Sequence, residues 1–91
     1  MTGTHRTALV LIKSPAADAT IDSLAGSGIT VVDGGTFWKL ESQDEIRVEM
    51  AAVEDELGEP INLSKWLVTM SSYVGRVDTG ADYFSVAPNA T

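Results

Sequence analysis

The most regular patterning in the chain lies at Glu45 to Met50, where Ile46, Val48 and Met50 alternate with Glu45, Arg47 and Glu49. A period of two predicts a strand with one face buried and one wetted. The apolar run from Arg6 to Ile12 predicts an earlier strand, which Ser14-Pro15 stops as a helix cap followed by proline at the first helical position. Ala17, Ile21, Leu24 and Ala25 then recur at helical spacing up to Gly26. Ile29 to Val32 is β-branched and predicts a strand, turned by Asp33-Gly34-Gly35 into a partner at Thr36 to Glu41. Met50, Val53 and Leu57 predict a short acidic helix closed by Gly58 and Pro60. Asn62 can cap a further helix with the apolar stripe Leu63, Trp66, Leu67 and Met70. Ser71 to Val77 and Tyr83 to Val86 predict two last strands joined at Asp78-Thr79-Gly80, with Ala87 to Thr91 as a free tail.

The resulting order is β-α-β-β-β-α-α-β-β. Such mixed order predicts an α+β fold, a mostly antiparallel sheet with helices packed on it. With 91 residues and no linker or low-complexity tract, the chain is expected to be one small domain over 1–91, its ordered core about 6–87. A chain of this size buries only roughly 60 to 65% of the surface its unfolded form exposes, so an enclosed active-site cleft is not expected.

Composition narrows the chemistry further. There is no cysteine, hence no disulfide, thiolate nucleophile or Cys-based metal site. The only histidine, His5, sits near the start, away from any triad or ligand cluster. A net charge of -7 argues against nucleic acid and anionic membrane surfaces as partners. No apolar stretch is long enough for a membrane span, and the expected compartment is the cytoplasm.

Eight of the 13 carboxylates lie between Glu41 and Glu59, and Glu54-Asp55-Glu56 reads as a solvated helix face, since consecutive residues point in different directions around a helix. The glycines match no phosphate-loop spacing and serve as turn and helix-end residues. Met50, Trp66 and Met70 read as core, as does Trp38 beside Leu40. The stretch Thr69-Met70-Ser71-Ser72-Tyr73-Val74-Gly75-Arg76 stands apart: rich in hydroxyls, poor in strong hydrophobes, and placed where a helix hands over to a strand. Its structural reading is a helix end capped by Ser71 and Ser72, with Gly75 marking a bulge or a close backbone approach. Its functional reading is a docking surface, where small hydroxyls admit another backbone and Arg76 can clamp a carboxylate.

The blocks Gly28 to Asp33, Thr36 to Leu40, Val53 to Pro60 and Met70 to Arg76 resemble, in matching order, the coupling or effector proteins of bacterial multicomponent diiron monooxygenases, the methane, phenol, toluene, propane and alkene systems. The most specific parts are the Leu57-Gly58-Glu59-Pro60 turn and the run Ser71-Ser72-x-x-Gly75-Arg76. The resemblance implies a non-catalytic component with no cofactor and no metal. It also implies docking on the hydroxylase α subunit over the diiron site, with an NADH-dependent reductase and a ferredoxin as indirect partners. Carried over onto this chain, it puts the hydroxylase interface at Thr69, Ser71, Ser72, Tyr73, Gly75 and Arg76. Tyr73 is larger than its counterpart in the methane system, and only about six residues precede the first strand where the methane protein has a long tail. The rival reading is a free-standing ferredoxin-like domain that binds a small regulatory ligand, which would show the same strand-helix order.

Overall fold

The computed structural model describes residues 6–88, so His5 and the end of the anticipated tail, Asn89 to Thr91, lie outside the described residues. The elements are β1 (Thr7–Ile12), α1 (Pro15–Ser23), β2 (Thr30–Asp33), β3 (Phe37–Ser42), β4 (Ile46–Glu49), α2 (Met50–Leu57), α3 (Leu63–Leu67), β5 (Met70–Val74), β6 (Arg76–Thr79) and β7 (Tyr83–Ala87). This is the expected α+β class, with one strand more than the sequence pattern gave. The extra strand arises because Ser71 to Val77 is divided at Gly75 between two sheets. Asp78 and Thr79 belong to β6 rather than to a loop, and Ala87 to β7 rather than to a tail.

Both sheets are antiparallel, with strand orders β2-β3-β1-β5 and β4-β7-β6. One hydrophobic cluster joins them: Leu9, Leu11 and Leu40 from the first, Ile46, Val48, Phe84 and Val86 from the second, and Ala17, Ala19, Met50, Val53 and Trp66 from the helices. The alternation of Ile46 and Val48 against Arg47 is realised on β4, and Met50 continues the buried side as the first residue of α2.

The local signals explain the helix boundaries. Ser14 caps α1, its side chain accepting from the Ala17 N–H at 3.1 Å, and Pro15 occupies the first turn. The helix ends at Ser23, two residues earlier than the spacing of Leu24 and Ala25 suggests. Gly58 ends α2 in the left-handed conformation at φ 82°. Beyond it the Glu54 carboxylate accepts from the Ile61 N–H at 3.0 Å, which closes the acidic turn onto its own helix.

The helix stripe needs correction. Trp66 is fully buried, with its ring 5.0 Å from Phe84 and its indole N–H donating to Thr20 Oγ1 at 2.9 Å. Leu67, placed in the same stripe by spacing, is 37% exposed, and Met70 begins β5 instead of extending α3. A helix of five residues makes little more than one turn, and neighbours on it diverge by about 100°, so burying Trp66 turns Leu67 outward. Trp38 is half-buried, its indole N–H reaching Asp18 at 3.1 Å, with the Lys13 ammonium 4.2 Å above the ring.

Candidate docking surface

The segment singled out by its hydroxyls begins at the end of α3. Asn62 caps that helix, its side chain accepting from the Lys65 N–H at 2.9 Å. Thr69 then closes the turn: its N–H donates to Trp66 O at 2.9 Å and its carbonyl accepts from the Ile12 N–H at 2.7 Å. Its hydroxyl bonds Ser14 Oγ at 2.7 Å, and the residue is only 8% exposed. Thr69 therefore lies beneath the surface, setting where β5 starts and tying it to the cap of α1. It does not join the exposed hydroxyls of Ser71 and Ser72.

β5 is the outer strand of its sheet and pairs only with β1. Val10 faces Ser72 and Leu11 faces Met70, so two steps on β5 match one step on β1, and Ser71 is the extra residue of a β-bulge. A bulge on an edge strand blunts indiscriminate strand pairing and re-aims the side chains around it. Ser72 and Val74 project on the same side as Val10 and Ala8, whereas Tyr73 shares the side of Leu9 and meets Phe84 edge-on at 6.4 Å. Tyr73 remains 47% exposed and borders the core.

Gly75 carries the chain from one sheet to the other. Its φ is 133°, and a Cβ there would stand 2.5 Å from the Ala87 carbonyl oxygen and 2.7 Å from Val86 Cγ2, so only glycine lets the strand pass β7 this closely. Arg76 follows as the first residue of β6, opposite Ala87 and exposed. β6 is likewise the outer strand of its sheet. Ser71, Ser72, Tyr73, Gly75 and Arg76 thus lie along one continuous free margin that runs across both sheets.

Residues outside the hydroxyl motif extend this margin into a surface. On the face of the first sheet that carries Ser72 and Val74, the cross-strand neighbours are Lys39, Val10 and Ser72 in one row and Glu41, Ala8 and Val74 in the next. Ile12 and Val32 share that face and are 51% and 43% exposed, and Val68, just before Thr69, is 78% exposed. The helices cover the opposite face, where Leu9, Leu11 and Leu40 join the core. Sequence reasoning missed this patch, although β1 holds its signal: apolar residues at both alternations, Leu9 and Leu11 on one side, Val10 and Ile12 on the other. In an antiparallel sheet with one covered face, that doubling marks a second face suited to contact.

No group of three or more His, Asp or Glu able to hold a metal ion occurs among the described residues. The hollows are open grooves; one of 440 Å³ is lined by Pro15, Ala16, Leu57, Pro60, Ile61 and Val68 among others. Shifted titration belongs to surface contacts elsewhere. Hydrogen bonds from the Lys13 ammonium and the Gly35 N–H hold Asp33 below the ordinary carboxylate value. The hydrogen bond from Tyr83 to Asp78 raises the Tyr83 phenol, and the ion pair with Glu49 raises Arg47.

Comparison with known proteins gives concordant results. Residues 5–87 match the family model described as the MmoB/DmpM family. The chain is 32% identical over 85 residues to methane monooxygenase regulatory protein B of Methylosinus trichosporium; the match takes in 86% of this chain and 62% of that protein, so the chain spans less than two thirds of its relative's length. Among solved structures, a chain of a phenol hydroxylase-regulatory protein complex superposes with a TM-score of 0.76 at 16% identity, over 92% of this chain and 99% of that one. Soluble methane monooxygenase regulatory protein B superposes with a TM-score of 0.71 at 23% identity, over 98% of this chain and 69% of that one. At these identities the structural likenesses speak for the fold alone.

Proposed function

The chain belongs to the MmoB/DmpM family, and from that premise we propose that it is the regulatory component of a multicomponent monooxygenase, acting by docking on the diiron hydroxylase. Regulatory proteins of this family are non-catalytic accessory components. In this reading the chain works in the cytoplasm, and the reductase and any ferredoxin are reached only through the hydroxylase. The phenol hydroxylase-regulatory protein complex, whose chain shares this fold, supports association with a hydroxylase.

The observation that carries the proposal is the margin from Ser71 to Arg76. It joins the free edges of both sheets, is bulged at Ser71, presents small hydroxyls and a guanidinium, and adjoins the apolar face of half-buried Val10 and exposed Ile12 and Val74. We assign the hydroxylase contact to Ser71, Ser72, Tyr73, Gly75 and Arg76, with Thr69 contributing from beneath by fixing the start of β5. Apolar area beside exposed, adaptable polar groups is the composition of a reversible protein interface.

An effector can change its target only by binding one state of it better than another, and coupling free energies of this kind are typically about 1 to 3 kcal/mol. Bound over the helices that hold the iron site, this chain would favour the hydroxylase state in which substrate access and oxygen activation are linked. NADH oxidation would then end in hydroxylated or epoxidised product rather than in wasted turnover. The test is steady-state turnover of the hydroxylase and reductase of the same system with and without the chain. A rise in product formed per NADH is expected; unchanged turnover and unchanged product per NADH overturn the reading.

A further inference from the structure

The six cations of this chain are outnumbered by 13 carboxylates, so each has every opportunity to pair internally. Four do so: Arg6 and Lys39 with Glu41, Lys13 with Asp33, and Arg47 with Glu49. Lys65 and Arg76 make no ion pair among the described residues, and both are exposed. Lys65 lines one hollow with Glu54 and another with Glu59; neither carboxylate is within ion-pair distance of it, and Glu54 is engaged by the Ile61 N–H.

The positions of these two are not scattered. Lys65 precedes β5 on α3, and Arg76 follows it across the Gly75 corner, so β5, about 16 Å long at roughly 3.3 Å per residue, separates them. Just inside the cations stand the two most exposed large apolar residues, Val68 at 78% and Val74 at 58%. Val68 is three residues beyond Lys65, on the same side of the turn. The arrangement is a strip of exposed valines and hydroxyls with a cation before it and another after it, on the surface of an otherwise acidic protein.

We propose that Lys65 and Arg76 are the two charged anchors of the docking surface, and that the hydroxylase meets them with a ridge of apolar and small polar groups bounded at both ends by carboxylates. The inference rests on the docking reading and adds to it the chemistry of the partner surface and a contact residue, Lys65, outside the hydroxyl motif. Exposed ion pairs contribute little in water, but pairs enclosed at an interface beside apolar contacts are desolvated and set both register and residence time. Two anchors, one on α3 before β5 and one on β6 after it, fix the angle of docking as well as its place.

The experiment is titration of the hydroxylase of the same system with wild-type protein, Lys65→Gln, Arg76→Gln, Arg76→Lys and Arg47→Gln, each checked for an unchanged unfolding midpoint. The expected result is a loss of affinity of about tenfold or more for each of Lys65→Gln and Arg76→Gln, and partial recovery in Arg76→Lys. Arg47→Gln, whose charge is already paired on β4, is expected to stay within about twofold of wild type. If wild type binds and either anchor variant also binds within twofold of it, the two-ended arrangement is overturned while the docking reading stands. If wild type itself does not bind, the docking reading fails and this inference with it.

Discussion

Ser14 and Thr69, 55 residues apart in the chain, share a hydroxyl-hydroxyl hydrogen bond of 2.7 Å. Ser14 is also the cap of α1, so the bond joins the start of the first helix to the residue that launches β5. The margin proposed for docking is thereby registered against the helical layer and not only against β1.

Thr69→Val keeps the shape of the side chain and removes its hydroxyl. Equilibrium urea unfolding is expected to show a loss of about 1 kcal/mol, from one part-buried hydrogen bond, while Ser14 Oγ keeps its bond from the Ala17 N–H. Stability equal to wild type would mean that the bond contributes nothing net.

Trp66→Ala and Leu67→Ala form an informative pair. The first empties the buried site against Phe84 and Thr20 and is expected to cost about 3 to 5 kcal/mol. The second truncates a side chain facing solvent and should cost below about 1 kcal/mol. Thermal or urea unfolding of both variants checks the order; a large loss for Leu67→Ala would mean that α3 faces the other way.

Gly75→Ala introduces a Cβ against the Ala87 carbonyl at a φ of 133°. Backbone strain alone is worth about 1 to 3 kcal/mol, and the overlap adds to it. The expected outcome is a lowered unfolding midpoint together with weakened hydroxylase binding, since the corner sets how β6 and Arg76 leave β5. An unaltered midpoint would show that β7 can retreat freely.

Asp33 provides the pH test. The Lys13 ammonium and the Gly35 N–H lower its pKa in the folded state below the ordinary 3.8. A depressed folded value means stabilisation that is present above the unfolded pKa and lost as pH falls through the folded one. Asp33→Asn is therefore expected to lower stability slightly at neutral pH, with the difference from wild type closing under acid. Urea midpoints measured from neutral pH down through the carboxylate range check the sign; a difference that widens in acid contradicts it.

The legible parts of this fold were those governed by near neighbours. Ser14-Pro15 announced a helix start, Asn62 another, and Ile46 and Val48 a strand with one buried face, because capping and strand periodicity act over one to four residues. The docking segment could be recognised as unusual from its run of hydroxyls, but the separate roles of its members could not. Thr69 differs from Ser71 only through contacts with Ser14 and Ile12, which are remote in the chain. Lys65 gave no signal, since a lysine without a partner can be told from a paired one only when every carboxylate around it has been placed.

By itself, the order of residues determined the class of the fold, the caps, the acidic surface of α2 and the want of cysteine or clustered histidine chemistry. All of these depend on local propensity or on composition. The tertiary structure alone decided that the strand foreseen from Ser71 to Val77 belongs to two sheets, because the break is set by how closely Gly75 passes Ala87. It decided as well that Val10, Ile12 and Val74 share one face of the first sheet, and that Lys65 on α3 and Arg76 on β6 make no ion pair among the described residues. Pairing register and charge neighbourhood are properties of segments brought together by folding, so no window along the chain contains them.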